Sequence, residues 1–168
     1  MSLLEVEALS MDFGGVRAVD DLSFTVTPDT IHSIIGPNGA GKTTLFNVIT
    51  GVYRPSGGRV RLEGADVTGE PAHVLAARGV SRTFQNLQIF HNMTALENVM
   101  VGRHLYADTR FLPTLFRLPA VAASDRACRQ KARELLDFVG LGEHQEKDAD
   151  ALPYGGLKRL EIARALAT

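Results

Sequence analysis

A single cysteine in 168 residues, Cys128, rules out an internal disulfide framework and fits a reducing compartment. Neither sign of charge is in excess: 18 Lys and Arg stand against 19 Asp and Glu, a formal net charge of −1. That balance supplies no overall field to draw the chain to nucleic acid or an acidic membrane surface, and no nucleic-acid partner is expected. Long apolar runs are missing as well. The greasiest stretch, residues 111–123, is too short to span a bilayer and contains Pro113, Arg117 and Pro119. Glu5 and Glu7 interrupt the start and no apolar segment follows, so no signal peptide is expected. The histidines, His32, His73, His91, His104 and His144, lack metal-ligand spacing and read as packed or solvated side chains. Internal repeats, low-complexity tracts and flexible linkers are also absent.

What is present is an ordinary globular composition, 45% hydrophobic and 22% charged, at a length suited to one domain. The first thirty residues read as two strands, with Leu22, Phe24 and Val26 alternating against Ser23, Thr25 and Thr27. Residues 31–35, rich in isoleucine, suit a buried central strand ending at Gly36. Residues 42–50 read as a helix stopped by Gly51, Val60 and Leu62 mark a further strand, and residues 71–78 read as a short helix with a proline in its first turn and Gly79 at its end.

The second half is more helical. Thr94-Ala95-Leu96-Glu97 has the form of a capping box opening a helix to about Arg103. Ser124 is placed to cap a longer helix whose Cys128, Ala132, Leu135, Leu136 and Val139 share one face, with Gly140 at its end. Cys128 therefore reads as a small core residue, and Arg126, Arg129 and Arg133 as a solvated surface. A last helix, expected to begin near Gly156, carries Leu157, Leu160, Ala163 and Leu166. The fold class is α/β, with a mostly helical region following the core.

Gly36-Pro37-Asn38-Gly39-Ala40-Gly41-Lys42-Thr43 matches the phosphate-binding pattern G-x-x-x-x-G-K-[ST]. Glycines at 36, 39 and 41 permit unusual dihedrals and bring backbone N–H groups against phosphate oxygens, where a Cβ would intrude. Those groups and the following helix N-terminus stabilise negative charge. Lys42 supplies a point charge to the β- and γ-phosphates, and Thr43 offers a hydroxyl to Mg²⁺. The nucleotide contacts are expected at Asn38, Gly39, Ala40, Gly41, Lys42, Thr43 and Thr44, with ATP and Mg²⁺ as the cofactors. This loop alone does not separate kinases, GTPases and transport ATPases.

Three further segments resemble the ATPases of ATP-binding-cassette (ABC) transporters. Arg82-Thr83-Phe84-Gln85-Asn86 resembles the Q-loop, and the resemblance assigns Gln85 to Mg²⁺, to the attacking water and to sensing of the transporter. By itself it would read as a surface glutamine after a strand. The segment from Leu152-Pro153-Tyr154-Gly155-Gly156 through Leu166 resembles the signature and its helix, in the form used by branched-chain amino acid importers. The resemblance implies that Tyr154, Gly155 and Gly156 close over the ATP held by a second subunit; Gly156 departs from the usual glutamine. Met11-Asp12-Phe13 through Val19 resembles the A-loop, with Phe13 stacking on adenine and Val19 nearby. A core phenylalanine beside a strand is the other reading of Phe13.

Taken together, the resemblance implies a P-loop NTPase core with an antiparallel β subdomain and a helical subdomain, incomplete at the C-terminus. Its divisions are residues 1–85 for the nucleotide-binding core and β subdomain, 86–155 for the helical subdomain and 156–168 for the signature helix. It further implies an ATPase subunit on the cytoplasmic face of the inner membrane. Its partners would be integral-membrane permease subunits and a second ATPase subunit, identical or not, and its role the import of branched-chain amino acids. Alternatives are a non-hydrolysing nucleotide-binding fragment or the ATPase of another ABC system such as lipopolysaccharide export. In the family an Asp-Glu pair on a later strand, beside the P-loop strand, completes the site. The 168 residues alone are therefore expected to bind MgATP weakly, to hydrolyse it at background rate and to leave apolar backbone unpaired. A partner's docking groove is expected within residues 87–119, among Ile89, Phe90, Leu105, Tyr106, Phe111 and Phe116, unless these are core residues of the helical region.

Overall fold

In the computed structural model, residues 2–84, 87–104 and 119–168 are described. The chain divides into two compact units, residues 1–80 and residues 81–168.

In the first unit, strands β1 (Leu4–Phe13) and β2 (Val16–Val26) form a hairpin, with Phe13 facing Val16 across the turn at Gly14-Gly15. Strands β3 (Gly57–Leu62) and β4 (Ala65–Asp66) complete an antiparallel sheet in the order β2-β1-β3-β4. Along β1 the buried residues are Val6, Leu9 and Met11, and the spacing of three between the first two breaks strict alternation. The cause is a bulge: the ladder shifts register between Val6 and Leu9, and Ala8 adopts a positive φ of 48°. The Ala8 N–H is satisfied by the Ser23 hydroxyl, 2.8 Å away.

Helix α1 (Lys42–Ile49) contributes Leu45 and Val48 to the core of this unit, and α2 (Ala72–Ala77) contributes Leu75. Pro71 occupies the N-cap of α2 rather than its first turn, and Gly79 follows the C-cap with a positive φ.

The expected central strand at residues 31–35 does not form. Ile31 is 97% and Ile35 91% exposed, and the backbone there has no strand assignment. A β-branched run becomes a strand only where its N–H and C=O groups find a ladder. Among the described residues no segment pairs with this one. Ile34 and Ile35 instead line an open apolar groove of about 430 Å³ with Leu22, Phe24, Phe46 and Ile49.

The second unit packs α3 (Ala95–Gly102), α4 (Pro119–Phe138) and α5 (Tyr154–Leu166) around Leu96, Val99, Ala132, Leu136 and Leu160. The capping box at Thr94 forms: its hydroxyl accepts from Glu97 N–H, and the Glu97 carboxylate accepts from Thr94 N–H. Two boundaries differ from the sequence reading. Among the described residues helix α4 already runs at Pro119, upstream of the cap expected at Ser124. Helix α5 starts at Tyr154, two residues before Gly156, with Pro153 as N-cap. Cys128 is buried in α4 while Arg126, Arg129 and Arg133 are exposed. On α5, Leu160 and Ala163 are buried, but Leu166 is exposed.

Candidate nucleotide-binding site

The phosphate-binding loop runs into the start of α1, and its chemistry follows from what the loop withholds as much as from what it offers. Gly41 is the N-cap of α1, with φ at 78°. No side chain caps this helix, and no acidic residue occupies its first turn. The helix N-terminus thus keeps its positive end and its free N–H groups for an external anion. Gly41 is forced here: a Cβ would lie 2.1 Å from the Ala18 carbonyl oxygen on β2. Gly39 is also left-handed, at φ 85°, whereas Gly36 is not among the positive-φ residues. The smallness of Gly36 instead lets Ala40 approach, since a Cβ would meet the Ala40 methyl at 3.3 Å.

Lys42 folds back on the loop, its Nζ donating to the carbonyls of Gly36 at 2.7 Å and Pro37 at 2.6 Å. No carboxylate among the described residues pairs with it. Its charge is therefore held over the loop by neutral acceptors and is not cancelled. Asn38, Gly39, Ala40 and Thr43 are exposed, and Thr44 is half-buried. Val19 is buried behind the loop, its methyl 3.5 Å from where a Gly41 Cβ would stand. It packs behind the loop with only 8% of its surface exposed. Phe13, at the end of β1, is 40% exposed and meets the Tyr53 ring edge-on, with centroids 5.3 Å apart and an interplanar angle of 78°. Tyr53 was not foreseen from the sequence, because nothing local to it signals a contact with a residue so far up the chain.

In the second unit Gln85 lies outside the described residues, but both flanks are held. Phe84 N–H donates to Glu161 Oε1 on α5 at 3.0 Å. The Arg82 guanidinium sits 5.0 Å from the Phe84 ring centroid. On the other side, Asn98 on α3 is fully buried; its Oδ1 accepts from Phe90 N–H, and its Nδ2 donates to the carbonyls of Phe90, Met93 and Thr94. Arg164 lies 5.5 Å over the Phe90 ring, and burial lowers its pKa below the usual guanidinium value. Neither Asn98 nor Glu161 carries a sequence signal for this task, since each acts on backbone.

In the segment that resembles the signature, Tyr154 and Gly155 are exposed at the N-terminus of α5, again with no side-chain cap and no acidic first turn. Gly156 is buried, and its N–H is engaged by the Pro153 carbonyl at 2.7 Å. A Cβ on Gly156 would meet Leu152 and Pro153 at ordinary contact distance, 3.4 Å. Within the segment 87–119, residues 105–118 lie outside the described residues, including Leu105, Tyr106, Phe111 and Phe116. Ile89 packs partly buried against the core of this unit, and Phe90 is exposed.

Residues 19–168 match the ABC transporter family. The chain belongs to that family. The matched span takes in the glycine-rich loop at residues 36–43 and helix α1. The chain is 46% identical over 166 residues to the high-affinity branched-chain amino acid transport ATP-binding protein BraF of Pseudomonas aeruginosa, covering 99% of this chain and 65% of the relative. The high-affinity branched-chain amino acid transport ATP-binding protein LivG of Escherichia coli K12 is 41% identical with the same coverage. Among solved structures, the ADP conformation of MJ1267, an ATP-binding cassette of an ABC transporter, aligns with a TM-score of 0.83 at 36% identity. That alignment covers 99% of this chain and 65% of the other. This ABC transporter chain thus spans 65% of the length of the relatives it matches. Among the described residues no helix is long and apolar enough to cross a membrane, and no cluster of His, Cys, Asp and Glu is arranged to hold a metal.

Proposed function

We propose that this chain is the ATP-gripping part of a transporter subunit that couples ATP binding and hydrolysis to import of branched-chain amino acids. The observation that carries the reading is the uncapped N-terminus of α1 beneath a lysine that no carboxylate among the described residues pairs with. The printed functions of BraF and LivG supply the cargo class.

In this reading the backbone N–H groups of residues 38–44 cradle the phosphates. Lys42 exchanges the Gly36 and Pro37 carbonyls for phosphate oxygens, and Phe13 stacks on the base. Thr43, exposed on the first turn of α1, and Gln85 would hold Mg²⁺, which supplies charge neutralisation at the phosphate oxygens when bound. Tyr154, Gly155 and Gly156 would serve the ATP of a second ATPase subunit. The functional division into residues 1–85, 86–155 and 156–168 belongs to the same reading. So do integral-membrane permease partners, peripheral placement at the cytoplasmic face of the inner membrane, and docking of the permease within residues 87–119. Crosslinks from that segment to the permease's cytoplasmic loops should form, and their absence removes the docking assignment.

The direct test is calorimetry of the full-length protein with ATP, with and without Mg²⁺. Binding is expected in the parent and at least tenfold weaker in Lys42→Ala. A parent that takes up no nucleotide overturns the reading.

A further inference from the structure

Glu161 is an awkward residue where it stands. It sits on the packed face of α5 beside Leu160 and Ala163, only 4% exposed. Packing alone would be served as well by an apolar side chain, because a buried carboxylate must recover its lost hydration from specific partners. Two are present. Lys158, one turn earlier, lies 3.3 Å from Oε2, and Oε1 accepts the N–H of Phe84 at 3.0 Å. Phe84 is the residue immediately before Gln85. One turn further along the same helix, Arg164 covers the ring of Phe90. Helix α5 therefore reaches both sides of the sequence that contains Gln85, and Asn98 on α3 fixes the backbone of Phe90 from a second direction.

We infer that Glu161 is a positioning residue, which ties the backbone at Phe84 to the signature helix so that the entry to Gln85 follows α5. The inference rests on the function proposed above for Gln85 and adds a residue that holds the main chain at Phe84, the position before it in sequence. An N–H held by a carboxylate is held more strongly than one held by a neutral acceptor. The tether also runs to the main chain, so the identity of the Phe84 side chain is secondary to it. Lys158 completes the arrangement by balancing the charge on the carboxylate oxygen that does not face Phe84.

The test uses the full-length protein and two substitutions. Glu161→Gln keeps a carbonyl acceptor for Phe84 N–H, and Glu161→Leu removes the acceptor while preserving volume. Amide exchange at Phe84, read by NMR, should accelerate at least tenfold in Glu161→Leu and stay within about threefold of the parent in Glu161→Gln. Steady-state ATPase should show kcat falling at least tenfold in Glu161→Leu with KM for MgATP within twofold, and Glu161→Gln should restore most of kcat. A merely structural role would instead raise exchange equally across residues 160–167. That result, unchanged Phe84 exchange, or unchanged kcat with a freed Phe84 amide would each overturn the inference. Should Glu161→Leu not fold, the parent alone decides: a Phe84 amide exchanging at the open-chain rate excludes the tether. A parent without nucleotide turnover would refute the proposed function, and Phe84 exchange would still decide whether the tether exists.

Discussion

Gly102, the last residue of α3, lies so close to Arg164 on α5 that a Cβ built on it would stand 2.5 Å from the Arg164 carbonyl oxygen. The two helices touch backbone to backbone at this point. Exchanging glycine for alanine inside a helix ordinarily helps by about 1 kcal/mol. Here a methyl against a main-chain oxygen has nowhere to go, and overpacking of this kind costs about 1–3 kcal/mol. The second effect wins. Gly102→Ala should lower the urea midpoint of unfolding, while alanine at exposed Gly155 in α5, where a Cβ meets nothing within 4 Å, should leave it unchanged or raise it. An unchanged midpoint for Gly102→Ala would remove the close approach.

The capping box at the start of α3 carries a pH signature. Hydrogen bonds from the backbone N–H and then the hydroxyl of Thr94 hold the Glu97 carboxyl below the ordinary glutamate range. A depressed carboxylate contributes stability that is present above its unfolded value, about 4.3, and is lost as pH falls through the lower folded value. Glu97→Gln should therefore lower stability at neutral pH and flatten the acid limb, so that parent and variant converge as pH falls from about 4.3 through the lower folded value. Thr94→Ala should cost about 1 kcal/mol at neutral pH through loss of the cap. Parallel acid limbs in parent and Glu97→Gln would refute the assignment.

Phe13 and Tyr53 separate a base-stacking ring from a core ring. Both are more than a third exposed, and their edge-to-face pairing is worth about 0.5–1.5 kcal/mol. A core phenylalanine truncated to alanine loses about 3–5 kcal/mol of stability. Phe13→Ala should instead cost less than about 1.5 kcal/mol, no more than its ring pairing, and weaken ATP binding roughly tenfold. Tyr53→Ala should weaken binding by a smaller factor, because it frees the ring without removing it. Thermal unfolding and calorimetry on the same variants check both halves. A large loss of stability with unchanged affinity would return Phe13 to the core.

What the sequence disclosed, and what it did not, divides along the range of the forces involved. The capping box at Thr94, the glycine stops at Gly51 and Gly79, and the loop entering α1 obey rules that act within a few residues, and each stands where its pattern predicts. The bulge at Ala8 and the pairing of Phe13 with Tyr53 depend on strands and loops meeting across the fold, so no local pattern announces them. Glu161 and Phe84 are 77 residues apart, and their bond joins a side chain to a main-chain N–H that any residue would supply. Residues 31–35 fail for the opposite reason. Their apolar, β-branched pattern is a correct local signal for a strand, but a strand is a property of two segments, and no described segment pairs with this one.

That unpaired run gives the last prediction. Ile31 and Ile35 are almost wholly exposed, beside the open groove that Phe24 and Phe46 help to line. Exposed apolar surface of this kind with free backbone groups is a template for another strand. The relatives are longer than this chain, which covers 65% of their length. If the proposed function holds, sequence beyond these 168 residues supplies the partner. Amides at residues 31–35 should exchange at nearly the open-chain rate in the 168-residue chain and at least a hundredfold more slowly in the full-length protein. The shorter chain should also bind a hydrophobic dye, and Ile35→Lys should reduce that binding without disturbing the β1–β2 hairpin. Equal exchange in both forms would show that this run is not completed by further sequence, and the site at α1 would have to work without a strand behind its loop.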